Sequence, residues 1–241
     1  MPTQPIHQAS AGLRSRATRE QRDQVVYFCH ETVAAQLNFN TQGNISLRLR
    51  GTDGAGPDGG PGDAMLITPS GTRYDQLRPE HLFVVSIETG EVLEDPHNGS
   101  MPSTETPVHV EHYRARPDVG AIVHTESAHV NAFGITSTPI DPVLLNMVLY
   151  AKGQVSVMPF EFSTSADFGR RSAALMGEDV NAVIWANHGL LSVHVDLPYA
   201  YRVACSVEEN AKVLLATRAL DTPPRILNLA DIAVPEGAPL P

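Results

Sequence analysis

Short apolar runs of strand period alternate along this chain with longer segments of helical period, and no unit repeats. A chain patterned this way can bury its apolar faces only by layering helices on a sheet, which predicts a mixed α/β domain. Residues 45–50, Ile-Ser-Leu-Arg-Leu-Arg, alternate apolar and polar, the period of a strand with one wet face. Further apolar runs of strand length occupy 65–67, 83–87, 120–124, 183–185 and 190–193, and the run at 120–124 stops at a histidine. Thr18 and Gln21 have capping-box spacing, and Val25, Phe28, Cys29, Val33 and Leu37 follow near helical spacing, so a first helix with one buried face starts there. Helices are also expected over 105–115, 126–133, 165–176 and 198–220. The last carries Ala200, Val203, Ala204, Val207, Ala211 and Leu214 on one stripe behind a proline.

With 241 residues, 42% of them hydrophobic, the chain suffices for one substantial core. The expected division is a polar tail over 1–16, a single domain over 17–220 and a Pro-rich tail over 221–241. Residues 51–62 hold six glycines and two prolines, including Gly54-x-Gly56-x-x-Gly59 at the spacing of a dinucleotide fingerprint. That fingerprint needs a helix to open at its last glycine, and Pro57, Gly60 and Pro61 prevent one, so the segment reads as a flexible strand-to-strand insertion.

Seventeen Lys+Arg against 27 Asp+Glu give a net charge of -10, which argues against a nucleic-acid partner. Cys29 and Cys205 lie far apart in apolar surroundings, as in a reducing compartment. The start Met1-Pro-Thr-Gln-Pro-Ile-His7 has no apolar h-region, and no apolar stretch approaches the roughly 20 residues that span a bilayer. A cytoplasmic protein with no membrane partner is expected.

Chemistry is sought first among the ten histidines. His124 and Glu126 sit two apart where a strand ends, and in extended geometry i and i+2 point to one side. His188 lies in Asn187-His-Gly189, where the glycine permits close backbone approach. Glu105 opens a helix after Ser103 and Thr104, whose hydroxyls and amides suit an anion. His109 and His112, at i and i+3 on that helix, either meet a metal with Glu105 or form a solvated face. The residues by themselves support a His/Glu metal site and leave its chemistry open.

Taken in order, Gly43-Asn-Ile-Ser46, Thr68-Pro-Ser-Gly71, Pro102-Ser-Thr-Glu105, Val123-His-Thr-Glu126 and Asn187-His-Gly-Leu-Leu191 resemble the class II aldolase/adducin superfamily. The resemblance implies a three-layer α/β/α sandwich with a mixed, mostly antiparallel central sheet, assembled as a homotetramer with sites at subunit interfaces. It implies one divalent metal ion per subunit, held by histidines of the two His motifs, with Glu105 as acid/base and sometimes as ligand. Members acting on sugar phosphates place the phosphate on elements that are here Asn44, Ser70, Gly71, Ser103 and Thr104. Tyr150 stands in the stretch that in aldolases supplies a proton-donating tyrosine.

One departure stands out: aldolases and epimerases of this superfamily carry His-x-His where this chain has His124-Thr-Glu126. With Glu126 in place of the second imidazole, the metal shell becomes His124, Glu126 and His188, the two-histidine, one-carboxylate arrangement of non-heme Fe(II) oxygenases. A carboxylate removes one unit of charge from the site and favours electron donation to dioxygen over Lewis-acid catalysis. The leading expectation is therefore oxidative decarboxylation of a small, aromatic 2-oxo or 2-hydroxy acid with Fe(II) and O2, as in the branch of the superfamily found in aminocoumarin-antibiotic biosynthesis. The alternative is a non-oxidative aldolase, epimerase or decarboxylase acting on a sugar phosphate or related acid with Zn(II), Mn(II) or Co(II). A third reading, a non-catalytic adducin-like binding module, is weakened by the retention of Glu105, His124 and His188.

Overall fold

The structure is a computed structural model that describes residues 16–51, 62–228 and 232. The expected N-terminal tail and the Gly/Pro-rich insertion lie almost wholly outside the described residues, as does the part of the C-terminal tail after 228, residue 232 excepted.

Among the described residues six α-helices and eight strands follow one another as α1 (Arg19–Ala34), β1 (Asn44–Leu49), β2 (Ala64–Ile67), β3 (Phe83–Ser86), β4 (Val92–Glu94), α2 (Thr106–Ala115), β5 (Ala121–Thr125), α3 (Ala128–Gly134), α4 (Leu145–Tyr150), β6 (Val157–Met158), α5 (Ala166–Met176), β7 (Ala182–Trp185), β8 (Gly189–His194) and α6 (Leu197–Thr217). The strands form one sheet in the order β4-β3-β2-β1-β5-β8-β7-β6. Every neighbouring pair is antiparallel except β6 and β7. The capping box at Thr18 and Gln21 closes the start of α1 as its sequence spacing requires.

Strand alternation sorts the side chains into two cores. Ala121 and Val123 of β5, Ala182 and Ile184 of β7 and Leu190 of β8 join a cluster with α1, α3, α4 and α6. Their neighbours Ile122, Val183, Trp185, Leu191 and Val193 join a second cluster under α2 and α5. Two cores on opposite faces of one sheet make the three-layer α/β/α sandwich that the sequence implies. The elements that period analysis misses are β4, α4 and β6, with three, six and two residues. Runs this short carry no readable period, and β6 exists only through its pairing with β7.

The reading of β1 as a strand with one wet face is corrected. Its apolar half, Ile45 and Leu49, enters the first core, but its polar half, Asn44, Ser46 and Arg48, is equally buried, beneath α2. Ser46 Oγ pairs with His109 Nδ1 at 2.7 Å and with the Tyr113 hydroxyl at 2.9 Å. Arg48 donates to the backbone carbonyls of Tyr113 and Arg116 and to Asp63 at 2.8 Å. His109 and His112 accordingly form neither a solvated face nor part of a metal cluster; both are buried, and His112 Nε2 pairs with Ser172 Oγ at 3.0 Å. A polar period signals a hydrated face only when nothing polar covers it, and α2 supplies partners for most of these groups, leaving Asn44 Oδ1 and Arg48 Nε unpaired.

Burial pushes both His109 and His112 down to about 3. An imidazole whose folded value lies below its ordinary 6.5 contributes stability that is present above 6.5 and is lost as pH falls towards 3. The thermal midpoint should therefore decline between pH 6.5 and 5, a window above the ordinary carboxylate range, with each histidine approaching a slope of about 1.4 kcal/mol per pH unit. A midpoint independent of pH across that window in a calorimetric series refutes the assignment.

Candidate metal centre

The site forms at the sheet centre, where β5 lies between β1 and β8. Alternation turns His124 to the α2 side with Ile122, and the register sets it opposite Asn44 of β1. Glu105 arrives from the helix cap: the segments 68–70 and 101–103 are tied by Ser70 N–H to the Met101 carbonyl at 2.8 Å and Ser103 N–H to the Thr68 carbonyl at 3.0 Å. Ser103 Oγ then accepts the Glu105 N–H at 3.2 Å, which fixes the residue at the N-cap of α2. His188 comes from the turn between β7 and β8, where its N–H bonds the Trp185 carbonyl at 3.1 Å and Asn187 takes φ 58. Gly189 lets the start of β8 lie close against β5, because a Cβ there would meet the Thr125 carbonyl oxygen at 2.2 Å.

Glu105 Oε2 accepts from Asn44 Nδ2 at 2.7 Å and faces His124 Nε2 at 3.5 Å. Its Oε1 accepts from the Ser163 hydroxyl at 2.5 Å and faces His188 Nε2 at 3.2 Å. One atom from each of Glu105, His124 and His188 falls within 4.8 Å of the others, the one such group among the described residues. His124 Nδ1 lies 3.0 Å from the Leu190 carbonyl, which only accepts, so Nδ1 carries the hydrogen. Nε2 is left as a buried nitrogen with no hydrogen-bond partner, aimed at the carboxylate. Burial, together with His124, pushes His188 down to about 4 against the pull of Glu105. Burial alone would raise Glu105, but His124, His188 and the hydrogen bonds from Asn44 and Ser163 outweigh it and hold the carboxyl below its usual range. Nitrogen lone pairs facing a carboxylate in a dry pocket are mutually unfavourable unless a cation lies between them, and this donor set fits a divalent metal.

The structure places Glu105 beside the histidines and turns Glu126 elsewhere. β5 ends at Thr125, and the Glu126 N–H bonds the Leu37 carbonyl at 3.1 Å and Asn38 Oδ1 at 3.0 Å. Its carboxylate faces the Gly43 N–H at 3.4 Å. The chain has left the strand by that residue, so the i, i+2 argument for His124 and Glu126 does not apply. Asn44 and Ser103 are buried at the centre, while Ser70, Gly71 and Thr104 are exposed on the two tied segments beside it. Tyr150 packs on the opposite side of the sheet, against the first core, with its ring 6.2 Å from that of Tyr199. Two residues at the site escape sequence reasoning. Ser163 stands in an irregular segment between β6 and α5 with no period or motif. Trp185, whose ring lies 4.8 Å from His124 and 5.3 Å from His188, carries a signal only as the chain's single tryptophan, three residues before His188.

Residues 23–215 match the family described as Class II Aldolase and Adducin N-terminal domain. L-fuculose phosphate aldolase of Escherichia coli (strain K12) is 32% identical over 216 residues, covering 88% of this chain and 90% of its own length. 5-Methylthioribulose-1-phosphate/5-deoxyribulose-1-phosphate aldolase of Rhodospirillum rubrum is 33% identical over 177 residues, 73% of this chain and 72% of its own. Among solved structures, an L-fuculose 1-phosphate aldolase superposes with a TM-score of 0.76 at 24% identity, over 89% of this chain and 93% of its own.

Metal analysis of purified protein should show His124→Ala and His188→Ala each losing bound divalent metal, whereas Glu126→Gln keeps the wild-type content. Loss of metal from Glu126→Gln alone would return that residue to the metal shell.

Proposed function

Since the chain belongs to the class II aldolase and adducin family, we propose that it is a divalent-metal-dependent aldolase that reversibly cleaves a ketose 1-phosphate. The convergence of Glu105, His124 and His188 carries the reading. The names of the relatives, aldolases of fuculose phosphate and of 5-deoxyribulose 1-phosphate, supply the substrate class. His124 and His188 would hold the metal ion with the Glu105 carboxylate within reach of it, and imidazole and carboxylate are donor types that catalytic zinc uses. A divalent ion held there supplies a Lewis acid that polarises the ketose carbonyl and stabilises the charge left on its oxygens when the carbon–carbon bond breaks.

The chain's own groups account for the rest. Retro-aldol cleavage of a 2-ketose breaks the C3–C4 bond, takes a proton from the C4 hydroxyl and returns one to C3. Glu105 is the group placed to take the proton from the C4 hydroxyl and return it to C3, which balances the reaction, and Asn44 and Ser163 hold its two oxygens in a fixed plane. Asn44, Ser70, Gly71, Ser103 and Thr104 are assigned to the phosphate; the Ser70 and Ser103 amides tie the two segments together, which leaves the hydroxyls of Ser70, Ser103 and Thr104 and the amides of Gly71 and Thr104 as its donors. The buried walls around Glu105 and His124 exclude water from the reacting atoms.

The oxidative reading loses its support. It rested on Glu126 as a ligand, and that carboxylate faces the Gly43 amide instead; the relatives named above are aldolases of sugar phosphates. Neither finding favours Fe(II), dioxygen or an aromatic acid substrate. Retention of the three donors also weighs against a non-catalytic module. A homotetramer remains the proposed assembly, supported by large apolar side chains left exposed beside the site, Met101 at 70% and Phe162 at 84%. Among the described residues no helix is long and apolar enough to cross a membrane.

Zinc-loaded protein kept free of oxygen should release dihydroxyacetone phosphate from a ketose 1-phosphate, read by a coupled reduction. Glu105→Gln should lower kcat by about 10²–10⁴-fold. Turnover that requires oxygen, or none across a panel of ketose 1-phosphates with metal bound, overturns the reading.

A further inference from the structure

The two histidines of the centre are not held alike. His124 is fixed from behind by its Nδ1–H on the Leu190 carbonyl. His188 makes no such bond: its Nε2 faces Glu105, and no hydrogen bond joins its Nδ1 to another described residue. Metal-binding histidines ordinarily donate their second ring nitrogen to a fixed acceptor, which sets the angle of the ring. His188 has an aromatic wall beside its ring instead. The Trp185 ring lies 5.3 Å from it at an interplanar angle of 38°, and the same ring lies 4.8 Å from His124 at 37°.

Trp185 is itself immobilised. It is 1% exposed, and Phe168 meets it edge-on at 5.2 Å. Its indole Nε1–H donates to Ser172 Oγ at 2.8 Å. Because indole nitrogen only donates, Ser172 must accept from it, and the serine proton is free to pass to His112 Nε2 at 3.0 Å. The chain Trp185–Ser172–His112 joins the β7–β8 turn to α5 and α2, the two helices that cover this face of the sheet.

We propose that Trp185, pinned through Ser172, is a positioning residue that sets the orientation of His188 for metal binding. The inference rests on the metal reading given above. Trp185→Phe keeps a ring but removes the anchoring N–H, and Ser172→Ala keeps the indole but removes its acceptor. Both lie behind the ligands, so neither removes a donor atom.

The test compares full-length wild type with the two variants by zinc competition against a chromophoric chelator, by the visible spectrum of the cobalt-loaded protein, and by melting of the metal-free form. Both variants are expected to bind zinc about 10–100-fold more weakly, with a shifted cobalt band, under conditions in which their metal-free forms are folded. As the single tryptophan, Trp185 should also change its emission when zinc binds to wild type but not to His188→Ala. Variants with wild-type zinc affinity and an unchanged cobalt band overturn the proposal while leaving the metal reading intact. A loss of affinity that appears only where the metal-free variant is already unfolding also overturns it. Wild type that takes up no zinc overturns both. If Trp185→Phe does not fold, Ser172→Ala, which leaves the ring in place, carries the comparison.

Discussion

Half of one central strand is polar and none of that half is hydrated. Asn44, Ser46 and Arg48 lie under α2, and the helix meets them with Glu105, His109, Tyr113 and the carbonyls at its C-terminal end. Each polar group buried without a partner costs on the order of 1–3 kcal/mol, and although Asn44 Oδ1, Arg48 Nε and His109 Nε2 have no hydrogen-bond partner, the bonds that are made favour one register of helix on strand. That register brings Glu105, the residue that caps α2, over His124. The Glu105 position is thus set by packing along the whole helix, and the candidate metal centre inherits its geometry from a structural seam.

Much of this was legible in the sequence. The capping box of α1, the apolar run ending at His124, the proline-led α6 and the ordered motifs led to the sandwich, to His124 and His188 as ligands and to Glu105 as the acid/base beside them. What the sequence withheld is tertiary. A carboxylate at i+2 from His124 looks like its partner on paper, and the deciding facts are that β5 stops at Thr125 and that Asn38 takes the next amide. The polar stripe of β1 and the histidines of α2 looked like hydrated faces because neither segment announces the other. Ser163 and Trp185 had no period to betray them, since their contacts join segments that only the folded sheet brings together.

The replacement of a histidine at 126 therefore has a different meaning from the one its charge suggests. The site keeps two imidazoles and one carboxylate, but the carboxylate comes from a helix cap and is held on both oxygens by Asn44 and Ser163. Glu126 stands with Gly43 and Asn38 at the turn between β5 and α3, where a side chain at Gly43 would strike Asn38 and the His124 carbonyl. The backbone around His124 is thereby closed on two sides, by Gly43 and by Gly189.

The two hydrogen bonds on Glu105 come from parts of the fold with unequal persistence. Asn44 belongs to a strand paired on both edges, while Ser163 hangs from β6, a two-residue strand at the rim of the sheet that is joined to β7 by amides such as Ala186 N–H on the Met158 carbonyl. Rim segments with so little pairing open before the body of a domain does, and their amides trade hydrogen for deuterium early. An excursion of residues 157–163 frees one oxygen of Glu105 while the other stays clamped, so the carboxylate can swing about its remaining tether without any loss of the surrounding sheet.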